Sequence, residues 1–300
     1  MVLSYHYTTI DRFQKMLENS ADANGKIADF KFWASSIYSM NDPKEFIYGY
    51  DMLWSEVIPK IEKEIGIKDK AYRISELYKS HKNKAKDKWK GTIIDALYEN
   101  HQVPFIVSFS EKGDFLPMWT TYANNGNGIC LGFDNHEYEM KWNNKDVDIL
   151  YYLHATTVNY NSFDESIKKV LLKMYREKYL EYITEKNVEK RTNMMINAYI
   201  IFSIIAAPYH KHKAYEYEAE ARLIRFKNDE SDVKYRCNDR GRLIPYIEVP
   251  VKKEYLKQVI IGPCADYVSL KRELICEFTK YDIKIDKDSI IPSNVPYRVY

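Results

Sequence analysis

The chain has 300 residues, 45% of them apolar and 29% charged, and a formal net charge of +2. That balance supports a buried core, excludes global disorder, and gives no general attraction to nucleic acid or an anionic membrane. Cys130, Cys237, Cys264 and Cys276 form no C-x-x-C pair, which excludes a zinc ribbon or a redox motif of that kind and suits free thiols in a cytosolic protein.

The first residues lack the basic region and apolar core of a signal peptide, and the most apolar run, Ala198–Pro208, is shorter than a bilayer span. The expected location is the cytoplasm, with no membrane partner. Tyr5-His6-Tyr7-Thr8 reads as a strand. Alternation puts His6 and Thr8 on one face and Tyr5 and Tyr7 on the other. Thr9–Asn19 follows as a helix with Thr9 as N-cap, because Ile10, Phe13, Met16 and Leu17 fall at helical spacing. Asn24-Gly25 is a turn and Phe30–Ser35 a second strand. Asn41 and Asp42 favour a turn, and Pro43 suits the first turn of a helix.

From Pro43 to about Gln102 the pattern is helical and charged, broken at Pro59 and Gly66. Lys79–Lys90 holds six lysines and one acid. A phosphate-contacting arm is one reading of it; a solvated helix is preferred, because no aromatic ladder accompanies the charges. Val103–Ser110 is a strand, Glu111–Asn125 a loop with a short helix, and Ile129–Asp134 another strand. Gly126-x-Gly128 precedes a strand rather than opening a helix, so it is not a dinucleotide fingerprint. Val147–Tyr160 reads as a strand and Ser162–Ala207 as two helices. Lys234–Gly241 is a polar loop, Arg242–Pro250 and Tyr255–Gly262 are strands, and Ala265–Phe278 is a helix. Asp282–Ile285 and Val295–Val299 read as short closing strands. The expectation is a single α+β domain over residues 1–300, with a mixed or antiparallel central sheet and helical insertions at about 43–102 and 162–207.

Glu216, Glu218 and Glu220 alternate, and Arg222 continues the series. On a strand, three carboxylates and a guanidinium share a face, and Glu220 is best placed to be held by Arg222 while pointing into a cleft. The alternatives are a solvent-facing edge strand, or a helix pairing Glu218 with Arg222. A lone His6 is more often structural than catalytic, and a functional His6 needs a distant carboxylate, for which Glu220 is the candidate. His210-x-His212 has no third ligand in view and lies among lysines, so no metal is expected. Trp119 and Tyr122, three apart, are either core aromatics or a stacking wall for a planar ring.

Tyr5-His6-Tyr7-Thr8, Asn41-Asp42-Pro43-x-Glu45, Ser108-Phe109-Ser110 with Met118-Trp119-x-x-Tyr122, Gly128–Asp134, Glu218-x-Glu220-x-Arg222-Leu223, Ile260–Pro263 and Pro296-Tyr297-Arg298 occur in that order. Together they resemble the bacterial family known as domain of unknown function 2971, with Ala221 standing where that pattern usually has tryptophan. The family name conveys no activity. His-x-Thr, an amphipathic helix and an aromatic strand ending in Ala34-Ser35 are also similar to the opening of ADP-ribosyltransferase folds, as in RNA 2′-phosphotransferases and ADP-ribosylating toxins.

The second resemblance implies an NAD-consuming enzyme that transfers ADP-ribose or hydrolyses NAD, in the manner of a bacterial toxin or phage-defence effector. Glu220 would be the catalytic carboxylate, and His6, with Thr8, would hold the ribose or the nicotinamide amide. Tyr5, Ser35, Asn41 and Arg222 would complete the NAD site, with Trp119 or Tyr122 stacked on nicotinamide. NAD is then the substrate, the macromolecular acceptor is open, and no metal is needed. Two alternatives stand beside it: a non-catalytic module sensing a nucleotide-like ligand or a phage component, and a metal-dependent enzyme acting on nucleic acid.

Overall fold

A computed structural model describes residues 2–40, 42, 44–84, 103–134, 139–144, 147–152, 156–160, 162–226, 232–238 and 241–298. Asn41, Pro43 and Lys86–Lys90 of the lysine run lie outside the described residues.

The fold is α+β, built on a mixed, mostly antiparallel open sheet. Its first strands follow the alternation expected of them: β1 (Leu3–Thr8) and β2 (Asp29–Ser36) flank α1 (Ile10–Ser20). Thr9 caps α1, its hydroxyl accepting from the Arg12 amide at 3.2 Å, and Phe13, Met16 and Leu17 are buried. Next in the sheet come β3 (Phe105–Ser110) and β4 (Ile129–Asp134). A separate hairpin joins β5 (Glu139–Asn144) to β6 (Val147–Tyr152). The remaining strands are β7 (Thr156–Thr157), β8 (Glu220–Arg225), β9 (Lys234–Cys237), β10 (Leu243–Lys252), β11 (Leu256–Ile261) and β12 (Ile290–Pro292).

The sheet forks at β3. One edge of β3 pairs with β8 along its whole length, from Phe105↔Arg225 to Ser110↔Glu220. At one end β3 meets β1, at Tyr5↔Ser110; at the other it meets β2, at Ser35↔Ile106 and Ser36↔Phe105. One arm runs β1-β4-β11-β12 and the other β2-β10-β9. Between the arms the middle of β3 has no strand neighbour, and a cleft opens there.

The helices are α2 (Glu45–Met52), α3 (Ile58–Ile65), α4 (Ser75–Lys84), α5 (Leu116–Tyr122), α6 (Glu165–Thr184), α7 (Val188–Ala206) and α8 (Tyr267–Lys280). Buried residues of α2, α3, α6 and α7 join those of the sheet in one contiguous core. Within it Glu62 accepts from Tyr175 at 2.7 Å and from the Ser75 hydroxyl at 2.5 Å, and the Trp54 indole donates to Ser203 at 2.9 Å. These buried polar groups are satisfied by one another. The helix Val188–Tyr209 meets the length and apolarity of a membrane span, which the shorter run Ala198–Pro208 does not; half of that window is packed inside the protein.

Several expectations need correcting. Pro59 does not break the helix, because a π turn over Leu53–Val57 precedes it and the missing N–H falls in the first turn of α3. Gly66 does end α3, in the left-handed region at φ +84°. Residues 234–237 are a strand, β9, held in place by β10. The closing strands are not at 282–285 or 295–298; β12 lies between them and pairs in parallel with β11.

Candidate functional site

The cleft between the arms has a volume of about 230 Å³. His6 and Thr8 of β1, Phe32, Trp33 and Ser35 of β2, and Ser108 in mid-β3 line it. The fork explains the position of His6. With no strand beside it, the Ser108 carbonyl needs a donor, and His6 Nδ1 supplies one at 3.1 Å. A carbonyl only accepts, so the proton sits on Nδ1 and Nε2 is the acceptor of a neutral ring. Phe32 packs against that ring at 5.1 Å between centroids and Phe109 at 5.7 Å. Burial lowers the His6 pKa, the Ser108 hydrogen bond opposes that shift, and Arg12 adds to it.

Opposite His6 stands a buried ion cluster. Glu220 is 2% exposed, Arg222 1% and Lys211 5%. Arg222 grips Glu220 at two points, Nε to Oε1 and Nη2 to Oε2, each 2.9 Å, and sends Nη1 to the Pro208 carbonyl at 2.6 Å. Lys211 Nζ bridges Glu218 at 2.7 Å and Glu220 at 2.8 Å. The Ser108 hydroxyl donates to Glu220 Oε1 at 2.7 Å and the Tyr122 hydroxyl to Glu218 Oε1 at 2.8 Å. Burial is the largest influence on Glu220 and raises its pKa. Arg222 and then Lys211 override it, leaving the pKa lowered to about 2. Glu220 is therefore a carboxylate at any ordinary pH, with four donors on its two oxygens.

The acidic series is not one strand. Lys213–Glu218 forms a 3-10 helix, and Ala219 turns the chain through the left-handed region at φ 43°. Only Glu220 and Arg222 share a strand face, and Glu218 reaches the cleft from the turn. Nothing in the sequence marks Ala219, since alanine is not favoured at positive φ.

Of the other expected site residues, Tyr5, Thr8, Ser35 and Tyr122 line the cleft, and Arg222 stands behind Glu220. Trp119 does not reach it. Its ring is fully buried against the edge of Tyr7, 4.9 Å between centroids, and its indole N–H donates to Asp114 at 2.7 Å. His210 is structural: Nδ1 donates to the Ala206 carbonyl at 2.9 Å, Nε2 accepts from the Asp164 amide at 3.3 Å, and the ring stacks on Phe163. Among the described residues no three His, Cys, Asp or Glu side chains are grouped to hold a metal ion.

Sequence reasoning missed Lys211 and three further cations that line the cleft: Arg12 on α1, Lys31 on β2 and Arg236 on β9. Arg236 donates to the Ser35 hydroxyl at 2.9 Å and lies 5.7 Å from the Trp33 ring. Their separation in the chain hides them. Lys31 alone had a signal, since it alternates with the buried Phe30 and Phe32.

Comparison with known families adds one result at this point. Residues 118–223 match the family described as a protein of unknown function (DUF2971). The resemblance seen in the sequence is thus shown over those residues. The DUF2971 match runs from α5 into β8 and takes in Tyr122, Lys211, Glu218, Glu220 and Arg222; His6, Ser35 and Ser108 lie before it. No curated protein and no solved structure matches the chain.

Proposed function

We propose that the cleft binds NAD and breaks the bond between nicotinamide and ribose, as an enzyme with an ADP-ribosyltransferase-like core. What carries this reading is that His6 and Glu220, far apart in sequence, line one cleft and are joined through Ser108. At about 230 Å³ the cleft lies just below the ~300–1,000 Å³ usual for small-molecule sites. It has room for a ring and a sugar. The diphosphate would then lie outward, near Arg12, Lys31 and Arg236.

The chemistry follows from the charges. When the bond from ribose C1′ to nicotinamide breaks, its electron pair leaves with the ring nitrogen and neutralises it. Positive charge grows on the sugar, and an ionised carboxylate in a dry site stabilises it. Water or an acceptor group then bonds to C1′ and gives up its proton to bulk water. Lys211 and Arg222 keep Glu220 ionised. Ser108 is the most exposed of its donors, so a ribose hydroxyl can replace the serine on Oε1. His6 Nε2 accepts from the other hydroxyl.

A second reading is favoured by one specific observation: Arg222, Lys211 and Ser108 already occupy the four acceptor positions of Glu220. A carboxylate so held suits a rigid sensor for the same nucleotide, with no turnover. Purified protein, NAD binding by calorimetry and nicotinamide release by chromatography separate the two. Release that disappears in a folded His6→Ala variant supports the enzyme. Saturable binding without release, whatever acceptor is added, supports the sensor. Neither binding nor release removes both.

A further inference from the structure

β9 ends its arm of the fork, and among the described residues no strand pairs with its outer edge. Its ladder with β10 sets Tyr235 opposite Pro245 and Cys237 opposite Leu243. Pro245 has no N–H, so Tyr235 and Pro245 form a non-hydrogen-bonded pair, and the bonds to β10 run through Lys234 and Arg236. The N–H and C=O groups of Tyr235 and Cys237 therefore point away from β10, along the outer edge. Residues directly opposite share a face, so Tyr235, Cys237, Leu243 and Pro245 make one apolar patch beside that edge. Tyr235 is 63% exposed and Leu243 67%. The other face carries Lys234, bridged to Glu248 at 2.7 Å, and Arg236, which lines the cleft.

An outward row of main-chain groups beside an exposed apolar face is where an extended segment adds as a further strand. Charge narrows the occupant. The segment Lys234–Arg242 contains four cations and one acid. If β9 paired antiparallel with a second copy of itself, either register that engages Tyr235 would put Arg236 opposite another Arg236 or opposite a Lys234. Like charges directly opposite are destabilising, so the edge turns away its own kind. We propose that the outer edge of β9 receives an extended acidic segment of another protein. That segment pairs with Tyr235 and Cys237, lays apolar side chains over the Tyr235–Leu243 patch, and sets carboxylates beside Lys234 and Arg236 on the opposite face. Strict alternation of acidic and apolar residues supplies both. Because Arg236 also lines the cleft, the partner is held beside the cleft mouth. This surface does not depend on NAD being the ligand of the cleft.

Fluorescence anisotropy on the full chain, with a labelled peptide of alternating glutamate and valine, tests this. Saturable binding is expected, and the counterpart with lysine in place of glutamate should bind weaker by about tenfold or more. In the proposed pairing the valine amides face β9 and the glutamate amides face away. N-methylation of the valines should therefore weaken binding by about fivefold or more, and N-methylation of the glutamates should leave it nearly unchanged. On the protein, Tyr235→Pro removes an outward N–H and keeps the bonds to β10, so it should lose more affinity than Tyr235→Ala, which loses the ring alone. Bound peptide should also slow hydrogen exchange at the Tyr235 and Cys237 amides. Absence of binding, equal binding of the lysine peptide, or equal effects of the two methylations overturns the proposal. Tighter binding of a labelled oligothymidine than of the acidic peptide would make the surface one for nucleic acid, and a dimer dispersed by Tyr235→Pro would make the occupant a second copy; either result also overturns it.

Discussion

Ser108 donates its hydroxyl to Glu220 across the β3–β8 ladder at 2.7 Å, while its carbonyl accepts from His6. One serine thus joins the β1 arm of the fork to the buried ion cluster, and its removal should act differently from removal of the glutamate. Ser108→Ala takes one hydrogen bond from a carboxylate that keeps Arg222 and Lys211, and should cost about 1–2 kcal/mol. Glu220→Gln leaves two buried cations short of their counter-charge and should cost about 3–5 kcal/mol. Urea denaturation ranks the two. A Glu220→Gln variant as stable as the parent would mean that the cluster is not desolvated. Lost activity in Glu220→Gln therefore needs a stability measurement beside it.

Acid should destabilise the protein in two successive windows. Burial lowers the His210 pKa to about 4, against an ordinary value of 6.5. Between those pH values the unfolded chain binds a proton that the folded chain refuses, so stability falls as pH falls. The contribution is at most ~3 kcal/mol and is complete near pH 4. Glu220, lowered to about 2 from 4.5, acts below that. There the unfolded chain is protonated first and stability falls again. Chemical denaturation at steps from pH 7 to pH 3 should show both losses. His210→Gln, which can still accept from Asp164 and donate to Ala206, should flatten the upper one and leave the part due to His6. Equal stability at pH 7 and pH 4 would contradict a buried neutral His210.

Local pattern made β1, α1, β2, β3 and β4 legible, because each needs only its own alternation or helical spacing. The cleft was not legible as a shape. It exists because β1 and β2 both reach the same edge of β3, at Tyr5↔Ser110 and Ser35↔Ile106, and such pairing leaves no local mark. His6 and Glu220 could be named for their chemistry, but the serine between them could not. The alternation of Glu216, Glu218 and Glu220 misled, because Ala219 adopts a conformation its residue type does not announce. Trp119 misled for another reason. Its spacing from Tyr122 set both on one face of a helix, yet α5 turns Trp119 under Tyr7, where Asp114 satisfies its N–H.

The cations of the cleft should separate the parts of a nucleotide. Arg12→Ala and Lys31→Ala should each weaken NAD binding by about two- to fivefold, the range of a partly exposed ionic contact, and more at low salt than at high salt. Nicotinamide riboside, which lacks the diphosphate, should bind both variants as it binds the parent. Calorimetry with both ligands at two salt concentrations reads this directly. Equal losses for both ligands would place the cations against the sugar or the ring instead.

Gly49 tests how closely α2 packs on the turn after α7. It lies within α2, where alanine is ordinarily the better helix former by up to about 1 kcal/mol. Here a Cβ on residue 49 would come within 2.3 Å of the Ala207 carbonyl oxygen and 2.9 Å of its Cα. Both are backbone atoms in the turn after α7, so neither can swing aside as a side chain would. Relief requires α2 to move away from that turn, and overpacking of this kind costs about 1–3 kcal/mol or more. The contact therefore outweighs the propensity gain, and Gly49→Ala should lower stability by about 2 kcal/mol in urea. A Gly49→Ala variant more stable than the parent would show that propensity had won and that α2 does not rest on the Ala207 turn.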